Sequence, residues 1–243
     1  MADLAFSDTK PQKQAILIWA KFMLDQTMVD SAALRRAMVD GQVRTADVTD
    51  RALIRAMLDI PREDFVPAAQ MDLAYLDLDL PVGAGGRRLL KPMVLAKMLQ
   101  ALDLQNADRV LDVGCATGYA AALLTRLCGS VLALEEEPAL VAQARSKLSG
   151  LGNVAVREGP LRDGYAAGGP YDAILVEGAV EIDPESLCGQ LADGGRLICI
   201  RGDGPAPKAT LYTRSATDLT SRPVFDAFGP VLPGFSRPKS FVF

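Results

Sequence analysis

The residues Val110-Leu111-Asp112-Val113-Gly114-Cys115-Ala116-Thr117-Gly118-Tyr119 restrict the possible folds more than any other stretch of the chain. They read as an apolar strand that ends beside an acid, turns through spaced glycines and enters an apolar helix. Glycine has no Cβ, so such a turn lets backbone approach a ligand where any other residue would intrude. The next apolar run, 130–135, closes on a second acid, Glu135. Strand, glycine turn and helix, with an acid at the end of the following strand, is the pattern of a nucleotide-handling sheet edge.

The surrounding sequence extends that pattern. Strands are predicted at 109–113, 130–135, 154–157, 172–177 and 195–201, and helical runs near 119–127, 138–149 and 184–192. Short apolar strands alternating with helices specify an α/β fold: a doubly wound, mostly parallel, seven-stranded-type sheet with helices on both faces. Upstream, 31–40 and 47–59 carry helical periodicity; Thr49 or Asp47 is the expected N-cap of the second helix, and Pro61 stops it. Segment 76–86 loosens into a glycine-rich loop with Arg87, Arg88 and Lys91 at its exit, and Pro92 opens a helix to about Leu102. The stretch 210–243 reads as strands able to complete the sheet antiparallel. Residues 1–30 read as a leader or a short docked helix, and 31–243 as one domain. Within that domain, 31–103 form a helical part with the substrate-side loop, 104–202 the cofactor core and 203–243 the C-terminal strands.

Composition narrows the function. A net charge of −4 argues against a nucleic-acid partner, whose binding face would be basic. The chain has no histidine, so every His-dependent triad or general base is excluded. Its cysteines, Cys115, Cys128, Cys188 and Cys199, fall at no zinc-like spacing; no metal site is expected, and buried reduced thiols in a cytoplasmic protein are. The apolar run 15–20 is too short to span a bilayer, so no membrane partner is expected either.

Three nucleotide classes compete for the glycine turn. A P-loop needs Gly-Lys-Ser/Thr, and Gly118-Tyr119-Ala120 is not that. The dinucleotide fingerprint places its later glycines on Ala116 and Tyr119, so a pyrophosphate site is disfavoured. The remaining pattern, Asp112-x-Gly114-x-Ala116-x-Gly118, is that of enzymes using S-adenosyl-L-methionine. This cofactor carries a sulfonium cation and no phosphate, which suits an acidic edge. Glu135 lies at the spacing where an acid accepts hydrogen bonds from ribose hydroxyls. Its replacement by alanine is expected to remove cofactor affinity and leave the fold intact.

With these residues in view, the sequence resembles the protein-L-isoaspartate O-methyltransferases over about residues 37–235. The likeness includes Met38-Val39-Asp40-Gly41-Gln42-Val43-Arg44, Ile60-Pro61-Arg62, Phe65-Val66-Pro67, Tyr75, Leu80-Pro81-Val82-Gly83, Pro170-Tyr171-Asp172-Ala173-Ile174 and Gly194-Gly195-Arg196-Leu197. The resemblance implies a class I methyltransferase fold and methylation of the α-carboxyl of isoaspartyl residues in damaged protein or peptide, with S-adenosyl-L-methionine as donor. It implies cofactor contacts from Asp112, Gly114, Ala116, Gly118, Glu135, Glu136, Gly159, Pro160 and Glu177.

The departures from the family pattern lie on the substrate side and around the adenine. Where the family has Gly-Gln-Thr-Ile-Ser-x-Pro, this chain has Gly86-Arg87-Arg88-Leu89-Leu90-Lys91-Pro92, so the serine position is Leu90. Arg87, Arg88 and Lys91 are candidates to hold an anionic substrate, or a solvated cluster at a loop exit. Gly159-Pro160-Leu161 replaces the family's Gly-Asp-Gly, and Glu177 stands where a small or hydroxyl residue is usual. Two functions therefore remain: an active methyltransferase, or a catalytically silent relative that keeps the fold to bind cofactor or a partner.

Overall fold

The computed structural model describes residues 30–83, 85–202 and 206–238. The expectations placed on residues 1–29 lie outside these. The first elements are helices α1 (Ser31–Met38) and α2 (Arg51–Asp59). Asp30 caps α1 by accepting from the amides of Ala32 and Ala33, at 3.0 and 3.1 Å. Beyond Met38 the predicted helix widens into a π-turn, Val39–Val43, and a 3-10 turn follows. The cap of α2 is Asp50, not Thr49 or Asp47: its carboxylate accepts from the amides of Ala52 and Leu53 at 2.8 and 3.1 Å. Asp47 instead takes a left-handed conformation (φ 64°) that ends the preceding turn. The predicted loop after residue 76 contains a short antiparallel hairpin, β1 (Leu80–Pro81) with β2 (Arg88–Leu89). Helix α3 (Pro92–Ala101) opens on Pro92 as expected.

From there strands and helices alternate: β3 (Arg109–Val113), α4 (Tyr119–Leu124), β4 (Ser130–Glu135), α5 (Pro138–Leu148), β5 (Val154–Glu158), β6 (Tyr171–Val180), α6 (Glu185–Cys188) and β7 (Leu191–Arg201). Two further strands, β8 (Lys208–Arg214) and β9 (Leu219–Asp226), complete a seven-stranded sheet in the order β5-β4-β3-β6-β7-β8-β9. Strands β3 to β7 pair in parallel; β8 and β9 pair antiparallel, as predicted for the tail. The chain winds outward from β3 in both directions, which makes the carboxyl end of β3 the topological switch point.

Alternation along each strand divides the core. Val110, Ala133, Leu175 and Ile198 face the long helices, while Leu111, Val113, Ile174, Val176 and Leu197 face the other way. That second face has thin cover. The helix predicted over 184–192 is only the four residues of α6, because Gly189 follows it and Leu191 already begins β7. The segment 229–236 completes the cover, with Leu232 and Phe235 fully buried. It is tied to β6 and the residue after it by three backbone bonds: Ala179 N–H to the Pro230 carbonyl (2.7 Å), Leu232 N–H to the Ala179 carbonyl (2.9 Å) and Glu181 N–H to the Phe235 carbonyl (2.9 Å).

This close approach depends on Gly178. A Cβ there would lie 2.7 Å from Leu232 Cγ and 2.8 Å from the Pro230 carbonyl oxygen, and the latter, as backbone, cannot turn aside. Gly178→Ala is expected to cost about 1–3 kcal/mol, read as a lower urea midpoint with unchanged slope. An unaltered midpoint would show that the segment does not bear on β6.

All four cysteines are buried. Among the described residues, no helix is long and apolar enough to cross a membrane.

Candidate functional site

Three strand ends bring acids to the switch point. Asp112 lies in β3 and Glu177 in β6, and Glu135 ends β4; all three are buried. Between them runs the turn 114–118, with left-handed Gly114 (φ 82°) and Gly118 (φ 95°). Ala116 shares that region (φ 50°), a conformation that costs an alanine roughly 1–2 kcal/mol. Its amide donates to Glu135 Oε2 at 2.8 Å, which ties the turn to the acid.

Glu135 is fully engaged. Besides Ala116, the amides of Glu136 and Glu137 donate to Oε1 at 2.9 and 3.2 Å. The fourth donor is Arg87, whose Nη2 lies 2.7 Å from Oε2 in an ion pair with almost no solvent contact on either side. The same Nη2 donates to the Gly114 carbonyl at 2.8 Å. The guanidinium therefore stands directly before the glycine turn: a Cβ on Gly114 would meet Arg87 Nη2 at 3.0 Å and Leu232 Cδ1 at 3.3 Å.

The hairpin explains why Arg87 points inward. Leu80 pairs with Leu89 and Pro81 with Arg88, and the Val82 amide extends the ladder by donating to the Arg87 carbonyl at 2.9 Å. Alternation then sends Arg87 and Leu89 to the buried side and Arg88 to solvent. Arg88 donates to the Asp79 carbonyl at 3.1 Å, and the Lys91 amide donates to the Asp79 carboxylate at 2.8 Å. The basic residues of this exit are thus not one cluster: the first is inside the cofactor edge, and the other two lie along Asp79. Leu90 is wholly buried, and its side chain comes within 3.1 Å of where a Cβ on Gly229 would be.

Asp112 and Glu177 form a second buried group. Burial lifts the Asp112 carboxyl from 3.8 to about 7, with the charge of Glu135 adding to it and Glu177 and Arg87 opposing it. Burial, and then the charge of Asp112, raise Glu177 well above the usual carboxylate range. As two carboxylates they would face each other as acceptors with no donor: neither Asp112 oxygen nor Glu177 Oε1 has a hydrogen-bond partner. A proton on Glu177 supplies the missing donor. Of the remaining adenine-side candidates, Glu136 accepts from the Leu161 amide at 3.3 Å and Gly159 donates to the Glu135 carbonyl at 3.1 Å. Pro160 is exposed and has no N–H to offer.

A brace behind the turn involves residues to which sequence reasoning gives no role. Arg62 is completely buried and donates to the carbonyls of Ala74 (2.9 Å) and Leu90 (2.8 Å). Its guanidinium lies 4.8 Å from the centre of the Tyr119 ring, which in turn meets the Phe65 ring at 5.5 Å. Thr117, inside the turn, donates to the Phe65 carbonyl at 2.6 Å. The Ile60-Pro61-Arg62 and Phe65-Val66-Pro67 motifs thus support the glycine turn from the helical side. An arginine in an otherwise apolar motif is the available signal.

A seven-stranded sheet of this order, with acids at the ends of its first strands around a glycine turn, has the class I methyltransferase architecture. The protein-L-isoaspartate(D-aspartate) O-methyltransferase profile matches residues 34–221, and the chain belongs to that family. It is 40% identical over 190 residues to protein-L-isoaspartate O-methyltransferase 1 of Rhodopseudomonas palustris, covering 77% of each chain. It is 43% identical over 197 residues to the enzyme of Koribacter versatilis, covering 80% of this chain and 88% of the other. Among solved structures, a protein-L-isoaspartate O-methyltransferase superposes with a TM-score of 0.73 at 25% identity, over 84% of this chain and 66% of that one. A Plasmodium falciparum protein assigned to the same enzyme class, solved with S-adenosyl-L-homocysteine, gives 0.70 at 18% identity, over 84% and 98%.

The donor set suits a ligand with a diol and a positive charge. Glu135 ends β4 beside the turn, and the adjoining Asp112 oxygens and Glu177 Oε1 have no hydrogen-bond partner beyond the proton on Glu177. The residues therefore fit an S-adenosyl group in chemistry, while Arg87 and Leu232 fill the space before Gly114.

Proposed function

We propose that the protein is an S-adenosyl-L-methionine-dependent methyltransferase acting on the carboxylate of isoaspartyl residues in damaged protein or peptide. The observation that carries this reading is the convergence of Asp112, Glu135 and Glu177 on the glycine turn at the switch point, in a chain of this family. When bound, the cofactor supplies an electrophilic methyl group on sulfur. Glu135 would hold the ribose diol once Arg87 has left it, and Asp112 with Glu177 would face the cationic end. The turn 114–118 would offer backbone, with no Cβ at Gly114 or Gly118. A substrate carboxylate is already ionised at neutral pH, so no general base is required and the absence of histidine is consistent with the reaction. Alignment in a dry site provides most of the acceleration. Leu90 brings no hydroxyl to the substrate and is itself wholly buried.

Transfer of a radiolabelled methyl group to an isoaspartyl peptide, with the aspartyl isomer as control, tests the proposal. Base-labile label on the isoaspartyl peptide alone is the expected result. A second reading, a silent relative that keeps the fold, is favoured by the filled space before Gly114. Label on neither peptide, with or without cofactor binding, would select it.

A further inference from the structure

We propose that Arg87 is a resident cation that closes the cofactor edge and gives way when the positively charged cofactor enters. This rests on the cofactor reading above and adds a regulated entry step to it. Glu135, the residue at the ribose register, is held by Arg87 Nη2 at 2.7 Å, and the same nitrogen holds the Gly114 carbonyl at 2.8 Å. One guanidinium therefore occupies both the acid and the backbone that a cofactor would meet first.

The charge count favours exchange over a permanent pair. Asp112, Glu135 and Glu177 share this buried space with Arg87. Above about pH 7, with one proton on Glu177, two negative charges face one positive charge. The cluster retains a net attraction for a cation, and burial magnifies it. Arg87 is also poorly satisfied: its Nε and Nη1 are buried without hydrogen-bond partners. A guanidinium left with unmet donors regains hydration on leaving, so the cost of opening is lower than for a fully bonded pair.

Placement of Arg87 in the fold favours exchange as well. It lies at the end of a two-stranded hairpin outside the main sheet, and its release breaks none of the sheet's hydrogen bonds. Before it come Gly85 and Gly86, both left-handed (φ 65° and 79°), with open space around each where a Cβ would lie. Three residues beyond it, the Leu90 carbonyl is fixed by Arg62. One end of the segment is anchored and the other can turn. Cofactor binding then competes with closure, and the apparent dissociation constant exceeds the intrinsic one by the reciprocal of the open fraction.

Two measurements on the full chain test this. In calorimetry with S-adenosyl-L-methionine, Arg87→Ala is expected to bind at least about tenfold tighter than the parent, as removal of a mostly closed state requires. Binding by the variant alone would be the extreme of that result. Equal or weaker binding by the variant overturns the latch and leaves the cofactor reading in place. No binding by either protein overturns both. Because the variant leaves Glu135 without its cation and could fold poorly, the second measurement uses the parent protein. Phenylglyoxal labelling, read by peptide mass spectrometry, should spare Arg87 without ligand and modify it when S-adenosyl-L-methionine is saturating. Protection of Arg87 under both conditions overturns the proposal.

Discussion

Glu135→Ala is expected to destabilise the protein by about 3–5 kcal/mol as well as to abolish cofactor binding. The sequence alone suggests a ligand-facing acid whose loss spares the fold. The structure revises that expectation, because the carboxylate is an internal acceptor for Arg87 and for the amides of Ala116, Glu136 and Glu137. Alanine leaves a buried guanidinium with only the Gly114 carbonyl to bind. It also strips three amides of an acceptor, one in the glycine turn and two just before α5 begins. Denaturant unfolding of Glu135→Ala, Arg87→Ala and the double variant separates the contributions. The double variant should be more stable than Glu135→Ala, since it no longer buries an unpaired charge. A strictly additive cycle would show that the pair contributes no coupling.

Asp112→Asn should change stability and binding in opposite directions. In the folded protein the Asp112 carboxyl titrates near 7, against 3.8 when exposed. Between those values the folded chain holds a proton that the unfolded chain releases, so stability is fully present below about pH 4 and is lost as pH rises through 7. An asparagine carries no such penalty, and its amide takes over as the donor within the pair. At pH 8 the variant is expected to be more stable by on the order of 2–4 kcal/mol, with the difference shrinking as pH falls towards 4. Affinity for S-adenosyl-L-methionine should fall by about tenfold or more, because a negative charge facing the cation is gone. Unfolding curves at pH 5, 6, 7 and 8, with calorimetry at pH 8, measure both. A variant that loses stability at pH 8 would contradict the buried-acid account. Such opposed effects are usual where a site is kept strained for its ligand.

Much of this is legible in the sequence because its cause is local. The strands 109–113 and 130–135 are short apolar runs between turn signals, and β3 and β4 occupy those bounds. The turn at 114–118 announces itself through residues that only a left-handed backbone favours. The cap at Asp50 falls one position beyond the expected Thr49, since three neighbouring residues can all accept an amide and only the helix phase chooses among them. The inward turn of Arg87 is not legible at all. Two adjacent arginines at a loop exit look alike until a hairpin fixes which one points inside, and that hairpin is only two residues long on each side. The partner that accepts Arg87 lies 48 residues away along the chain. The roles of Arg62 and Leu232 depend likewise on distant parts of the chain meeting at the sheet edge.

The brace formed by Arg62, Phe65 and Tyr119 has a consequence for how such an enzyme can be taken apart. Thr117 draws its acceptor, and Tyr119 its cation, from a segment more than fifty residues upstream. A fragment consisting of the cofactor core alone would begin after both. In a chimera that grafts this core onto another helical half, the turn would lose the contacts that hold its shape, even with every one of its own glycines retained. The unit of exchange in this family's architecture is therefore the brace together with the turn, and boundaries drawn between them cut through the site.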